Sequence, residues 1–175
     1  MKIIMTHVFS GMRKKTVELL KEKLQQQYKD ADIVIVEGKP STREDIKKAE
    51  ADLFVDFNLL GFEQGTLAGS IAYNLLACKQ IHILLDDMLP NEKQLEKQLS
   101  IAMFFYCVDT QYCRYLSERY PELPYLKKAE GWEQAETADA AEHNAGLLCD
   151  IVEEVLRVCH MAAGCQQYPL NIMPL

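Results

Sequence analysis

The segment ADLFVDFNLLGFEQGTLAGSIAYNLLACKQIHILL, residues 51–85, decides the fold. Residues 52–57, DLFVDF, are apolar except for Asp52 and Asp56, the composition of a strand covered on both faces. Residues 58–65 hold an Asn, a Glu and two Gly, and they lead into Ala68, Ile71, Ala72, Leu75 and Leu76 at helical spacing. Residues 80–85 are again a buried strand. Strand, loop, helix and strand in this order form a βαβ unit, whose two strands are parallel because a crossover helix joins them.

Working outward, residues 2–7, KIIMTH, read as a first strand, and Ser10 offers an N-cap to a helix carrying Val17, Leu20 and Leu24 on one face. Residues 32–36 are a second strand, ended by Gly38-Lys39-Pro40 before Ser41-Thr42-Arg43-Glu44, which has the form of a capping box for a short helix. Downstream, residues 101–108, IAMFFYCV, fit a fifth strand or the end of a helix that starts near Asn91, with strand favoured. Asp109 then caps a helix with Tyr112, Cys113, Leu116 and Tyr120. Residues 121–137, with the single Trp132, form a long connection, a length that suggests a lid or an interface. A last helix spans 138–161, with Leu148, Ile151, Val152, Val155, Leu156 and Cys159 on one face and Gly164 as its stop. The expectation is one α/β domain over residues 1–175: a three-layer, doubly wound parallel sheet of four or five strands. The strand order is 2-1-3-4, with a fifth beyond, in the flavodoxin/Rossmann-like class.

Composition agrees with a packed domain: 49% of the 175 residues are hydrophobic, 26% are charged, and there are only 8 Gly and 6 Pro. A net charge of −7 argues against a nucleic-acid partner. No apolar run has the length of a membrane span, and the first residues enter a strand, so a cytoplasmic protein is expected. The six cysteines contain no Cys-x-x-Cys pair and read as core thiols, with no metal site. The segment 165–175, CQQYPLNIMPL, is too apolar to stay in water and must dock, either on its own subunit or on a second copy as a homodimer.

With this strand order, the ligand crevice lies between strands one and three, where the connections leave in opposite directions. The first loop brings His7, Ser10, Gly11 and Arg13, and the second brings Asn58, Gly61, Gly65 and Thr66 as ligand-binding candidates. Both precede a helix, where free amides and the dipole favour an anion. Arg13, Lys14 and Lys15 in a first helical turn oppose that dipole, and either an anion or solvent compensates them. Glu63 and Asp56 are the candidates for acid, base or nucleophile.

The first strand and helix, with residues 51–85, resemble the nucleoside 2-deoxyribosyltransferase family, in which a polar loop after the third strand leads to Gly-Thr and a helix. Gly65-Thr66 and Ala72 carry the match, over about the first half of the chain. The resemblance implies processing of a nucleoside, nucleotide or sugar phosphate, as an N-glycosidic bond transferase or hydrolase without a cofactor. The family's nucleophilic glutamate follows Gly-Thr within the helix, where Ala68 and Gly69 stand here, so Glu63 is the acid that remains for the role. The alternative is a non-catalytic nucleotide-binding or protein-interaction module on the same fold. A receiver domain would need acids after strand one, where this chain has Thr6-His7. A flavodoxin phosphate loop is matched only by Ser10, Gly11 and Thr16.

Overall fold

The computed structural model describes residues 1–38, 51–60, 78–86, 92, 95, 103–123, 125–134 and 136–165, with side chains to residue 159. Six strands, β1 (Lys2–His7), β2 (Asp32–Glu37), β3 (Leu53–Phe57), β4 (Lys79–Leu84), β5 (Met103–Cys107) and β6 (Leu126–Lys128), make one sheet. Its order is β2-β1-β3-β4-β5-β6 and every neighbouring pair is parallel. This is the doubly wound, flavodoxin/Rossmann-like α/β fold, with the fifth strand formed and a sixth added. The described helices are α1 (Gly11–Gln27), α2 (Thr110–Arg119) and α3 (Ala138–Cys165).

The layers follow from the handedness of parallel crossovers. β1 to β2 moves one way along the sheet through α1, and β5 to β6 moves the other way through α2, so right-handed connections put the two helices on opposite faces. Alternate residues of the strands divide accordingly. Ile3, Met5, Val55, Phe57, Ile81, Ile83 and Tyr106 pack beneath Val17, Leu20 and Leu24 of α1 and Leu148, Val152 and Val155 of α3. The other face presents Leu84, Met103, Phe105 and Cys107 to Tyr112 and Leu116 of α2. Burial of these apolar side chains, at roughly 1.5–3 kcal/mol each, supplies most of the driving force.

Three local readings change. The 121–137 connection is bound into the sheet, because β6 lies within it: Phe105 N–H donates to Tyr125 O at 2.9 Å and Ala129 N–H to Cys107 O at 2.7 Å. Its later part is fastened to α3 by Asn144, which accepts from Glu133 N–H at 3.0 Å and donates to Glu133 O at 2.8 Å. Gly164 does not stop the last helix, which runs to Cys165. Ser10 occupies the α1 N-cap position in extended backbone, yet its hydroxyl makes no capping bond, whereas Asp109 caps α2 by accepting from Tyr112 N–H at 2.6 Å. The expected helices at 41–50 and 65–76 fall outside the described residues.

Candidate functional site

The crevice mouth is built from the ends of β1, β3 and β4. β1 ends at His7, which is 1% exposed and turns its ring under the loop. Its Nδ1 accepts from Phe9 N–H at 3.1 Å, which fixes the tautomer so that Nε2 carries the proton. Nε2 is buried and has no hydrogen-bond partner among the described residues. Burial holds this imidazole below the ordinary histidine value, since the cation would be poorly solvated there. The ring stacks on Phe9 at 5.8 Å, and Phe9 meets Phe57 edge-on at 5.4 Å.

This aromatic column supports Arg13, whose guanidinium carbon lies 5.7 Å from the Phe9 ring centre. Arg13 Nη1 donates to both oxygens of Asp86, at 2.9 and 3.1 Å. Asp86 follows β4 and is held in turn by Asn58, whose Nδ2 donates to its carboxylate at 2.7 Å. Asn58 Oδ1 accepts from Leu85 N–H at 2.8 Å and from Asp86 N–H at 3.2 Å. To reach these groups Asn58 adopts a φ of 55°, and Leu59 follows at 57°. Asn tolerates the left-handed region; Leu59 costs about 1–2 kcal/mol there, offset by full burial of its side chain. Gly11, at φ 58°, opens α1 in a conformation that a Cβ would strain.

The structure therefore brings Arg13 and Asn58 together across the switch point, and it adds Asp86, which sequence reading did not select. Ser10 and Gly11 lie on the exposed rim beside them, flanked by exposed Val8 and Met12. His7 acts from behind, through Phe9. The cationic first turn of α1 has carboxylate neighbours: Arg13 pairs with Asp86, and Lys14 pairs with Glu37. Lys14 is raised and Glu37 lowered by their mutual hydrogen bond.

Asp56 sits elsewhere. Thr6, Asp56 and His82 are register neighbours on β1, β3 and β4, and they form one row across the middle of the sheet, each 0% exposed. Thr6 Oγ1 donates to Asp56 Oδ1 at 3.0 Å, His82 Nδ1 lies 3.1 Å from Asp56 Oδ2, and His82 Nε2 lies 3.1 Å from Gln80 Oε1. The His82 ring stacks on Phe105, the next residue of the row, at 4.9 Å. This arrangement satisfies polar groups within the sheet, in the row one residue before His7 and Phe57. Glu63, Gly61, Gly65 and Thr66 lie outside the described residues. Among the described residues, no helix is long and apolar enough to cross a membrane.

No family model matches the chain, and no curated protein matches it. Among solved structures, it is similar to a flavodoxin-like domain from Synechococcus sp., at 11% identity and TM-score 0.43, covering 90% of this chain and 99% of that one. It is also similar to a short-chain flavodoxin associated with a non-canonical PDU bacterial microcompartment, at 7% identity and TM-score 0.35, covering 88% and 97%. The class stated above rests on the strand order itself, to which likeness at this level adds nothing.

Proposed function

We propose that the crevice between β1 and β3 binds a small anionic ligand of the nucleoside, nucleotide or sugar-phosphate type. The observation that supports this is the setting of Arg13: Phe9 underlies the guanidinium and, among the described residues, Asp86 takes up Nη1 alone. The guanidinium is a rigid planar fork, so with Nη1 on Asp86 its Nη2 and Nε donors keep a fixed direction that suits a carboxylate or phosphate. The first-turn amides of α1 add the positive end of the helix dipole on the same side. An incoming anion competes with Asp86 for the guanidinium, and Asn58 keeps the displaced carboxylate within the site.

Binding without turnover is the reading we favour, because Ala68 and Gly69 stand where the deoxyribosyltransferase resemblance calls for a glutamate. Turnover, as N-glycosidic transfer or hydrolysis, depends in this proposal on Glu63. The experiment is a thermal-shift screen with nucleosides, nucleotides and sugar phosphates, run beside chromatography for released base. Shifts without released base support the binding module. Released base that disappears in Glu63→Gln, with binding kept, supports the enzyme. The absence of both shift and release across the whole panel refutes the ligand site.

Self-association belongs to the same proposal. α3 has 28 residues, about 42 Å of helix, against strands of six residues that span about 20 Å, so the sheet covers only part of it. Val158 near its end is 40% exposed. A dimer that uses this end and residues 165–175 loses its mass by light scattering when the chain is cut after Gly164; an unchanged mass refutes it. A cytosolic setting is also part of the proposal, and the five described cysteines, all free thiols, are consistent with it.

A further inference from the structure

The loop that leaves β1 is held down by the last side chain of the strand. Gly38 N–H donates to His7 O at 2.8 Å, which keeps the strand end itself in place. Beyond His7 the chain leaves the sheet, and Phe9 N–H donates to His7 Nδ1 at 3.1 Å while the two rings stack at 5.8 Å with 20° between their planes. Among the described residues the segment 8–10 has few other polar ties: Val8 is 58% exposed, the Ser10 hydroxyl makes no capping bond, and Ser10 O accepts from Lys14 N–H at 3.5 Å. Phe9 meets Phe57 edge-on and lies 5.7 Å from the Arg13 guanidinium carbon, so what holds Phe9 also holds the floor under Arg13.

We propose that His7 is a proton-operated latch: in its neutral form it holds Phe9 under Arg13, and protonation releases the segment 8–10 and, with it, an anion bound at the crevice. The bond to Phe9 requires a lone pair on Nδ1, which places the only ring N–H on Nε2. A second proton can go only to Nδ1, where it meets the Phe9 N–H donor to donor. The Nε2 N–H has no acceptor among the described residues and the residue is 1% exposed, so the buried imidazolium finds neither an acceptor nor water. Turning the ring out to solvent, or lifting the segment 8–10 away from it, relieves both faults, and either movement breaks the stack with Phe9. The loss of an anion rests on the ligand reading above; the release of Phe9 does not.

The charged groups around the ring are few and partly cancel. Glu37, the register neighbour of His7 on β2, and Glu18 of α1 favour the cation, whereas Lys14 of α1 opposes it. Glu37 is itself largely exposed and paired with Lys14, so burial of the ring outweighs all three and the neutral form is held. With the latch closed, His7 takes up its proton below the ordinary value of 6.5; with the latch open, the solvated ring returns to about that value. Between the two, each unit of acidification raises the ratio of open to closed by up to about tenfold, the limit for a single proton. Acid therefore opens the latch and neutral solution closes it.

The test follows the full chain, first without ligand, by NMR from about pH 8 to about pH 5. Nitrogen spectra of the His7 ring should show Nε2 alone protonated at the upper end. Below about pH 6.5 the protection of Phe9 N–H from hydrogen exchange should fall by up to about tenfold per unit, and the Arg13 side-chain signals should move as the Phe9 ring leaves them. Tyr112 N–H, capped by Asp109, is the amide whose protection His7 does not control. His7→Asn keeps an acceptor near the place of Nδ1 without titrating, so its Phe9 protection should stay flat; where that variant folds poorly, the parent protein's Phe9 and Arg13 signals decide. Sulfate, whose charge is constant over this range, is the probe for the crevice, and calorimetry should show it held in neutral solution and lost in acid. Four outcomes overturn the proposal: Phe9 protection unchanged by acid, the same fall in His7→Asn, Phe9 released with Arg13 unmoved, or sulfate held equally at both ends. Sulfate that fails to bind even in neutral solution refutes the anion site of the proposed function instead, and the ligand-free signals still decide the latch.

Discussion

Replacing Asp56 by Ala removes the acceptor that joins β1 to β4 through the middle of the sheet. Thr6 Oγ1 at 3.0 Å and His82 Nδ1 at 3.1 Å each lose this partner, and all three residues are 0% exposed, so water cannot take its place. A buried donor deprived of its acceptor costs about 1–3 kcal/mol, and breaking a buried pair that includes a carboxylate costs about 3–5 kcal/mol. We expect a loss in that range, which for a chain of this size lowers the melting temperature by roughly 6–20 °C. Asp56→Asn should cost about 1 kcal/mol, because the amide can still accept from Thr6 and donate to His82 Nδ1, leaving His82 Nε2 to donate to Gln80. Both are read by urea unfolding followed by circular dichroism. An Asp56→Ala protein within about 1 kcal/mol of the parent would refute the structural account. If a substrate is found, an Asp56→Asn protein of parental stability but no turnover would return Asp56 to the chemical role expected from the sequence.

Three further outcomes are expected. Asp86→Asn should tighten an anionic ligand by up to about fivefold, the worth of about 1 kcal/mol for a half-exposed pair, and Arg13→Ala should weaken the same ligand with little change in unfolding; calorimetry reads both. Glu92 accepts from Tyr112, Tyr115 and Tyr120 at 2.7, 2.9 and 3.1 Å, so Glu92→Ala should destabilise the protein by about 1–3 kcal/mol, since two of those hydroxyls belong to buried residues. His7 is held below its unfolded value, so the unfolded chain takes up a proton first: its contribution to stability is complete above about pH 6.5 and is lost as pH falls toward the folded value. His7→Gln should flatten the stability profile over that interval in pH-dependent melting curves, and an unchanged profile would show that another group sets it.

The sheet was legible because each strand is a short apolar run separated from the next by helical spacing or turn residues, and because parallel crossovers leave few orders open. Residues 103–107 resolve the choice between strand and helix at 101–108 in favour of strand: Phe105 and Cys107 face one side and Phe104 and Tyr106 the other, as in a strand between two layers. β6 was not legible, and the reason is its composition. Its three residues, Leu126, Lys127 and Lys128, leave two charges exposed, because an edge strand needs apolar residues only where it meets the core. The 28-residue length of α3 was missed by four residues because Gly164 reads as a stop, while a glycine within a helix costs only about 1 kcal/mol.

The site divides in the same way, according to whether a residue's role depends on its own loop or on a partner from a distant strand. Arg13 and Asn58 could be selected from loop position alone, since both follow strands that flank the switch point. Asp86 could not, because its importance lies in accepting from those two residues, at sequence separations of 73 and 28. The polar row was present in the sequence as Thr6, Asp56 and His82, three polar residues at interior positions of otherwise apolar strands. Without the register, one acid near a strand end reads as a catalyst; with it, the same acid has a hydrogen-bonded neighbour on each side. A polar residue inside a buried strand is therefore best judged by what stands opposite it on the adjoining strands, and Asp56→Ala against Asp56→Asn measures that difference in this protein.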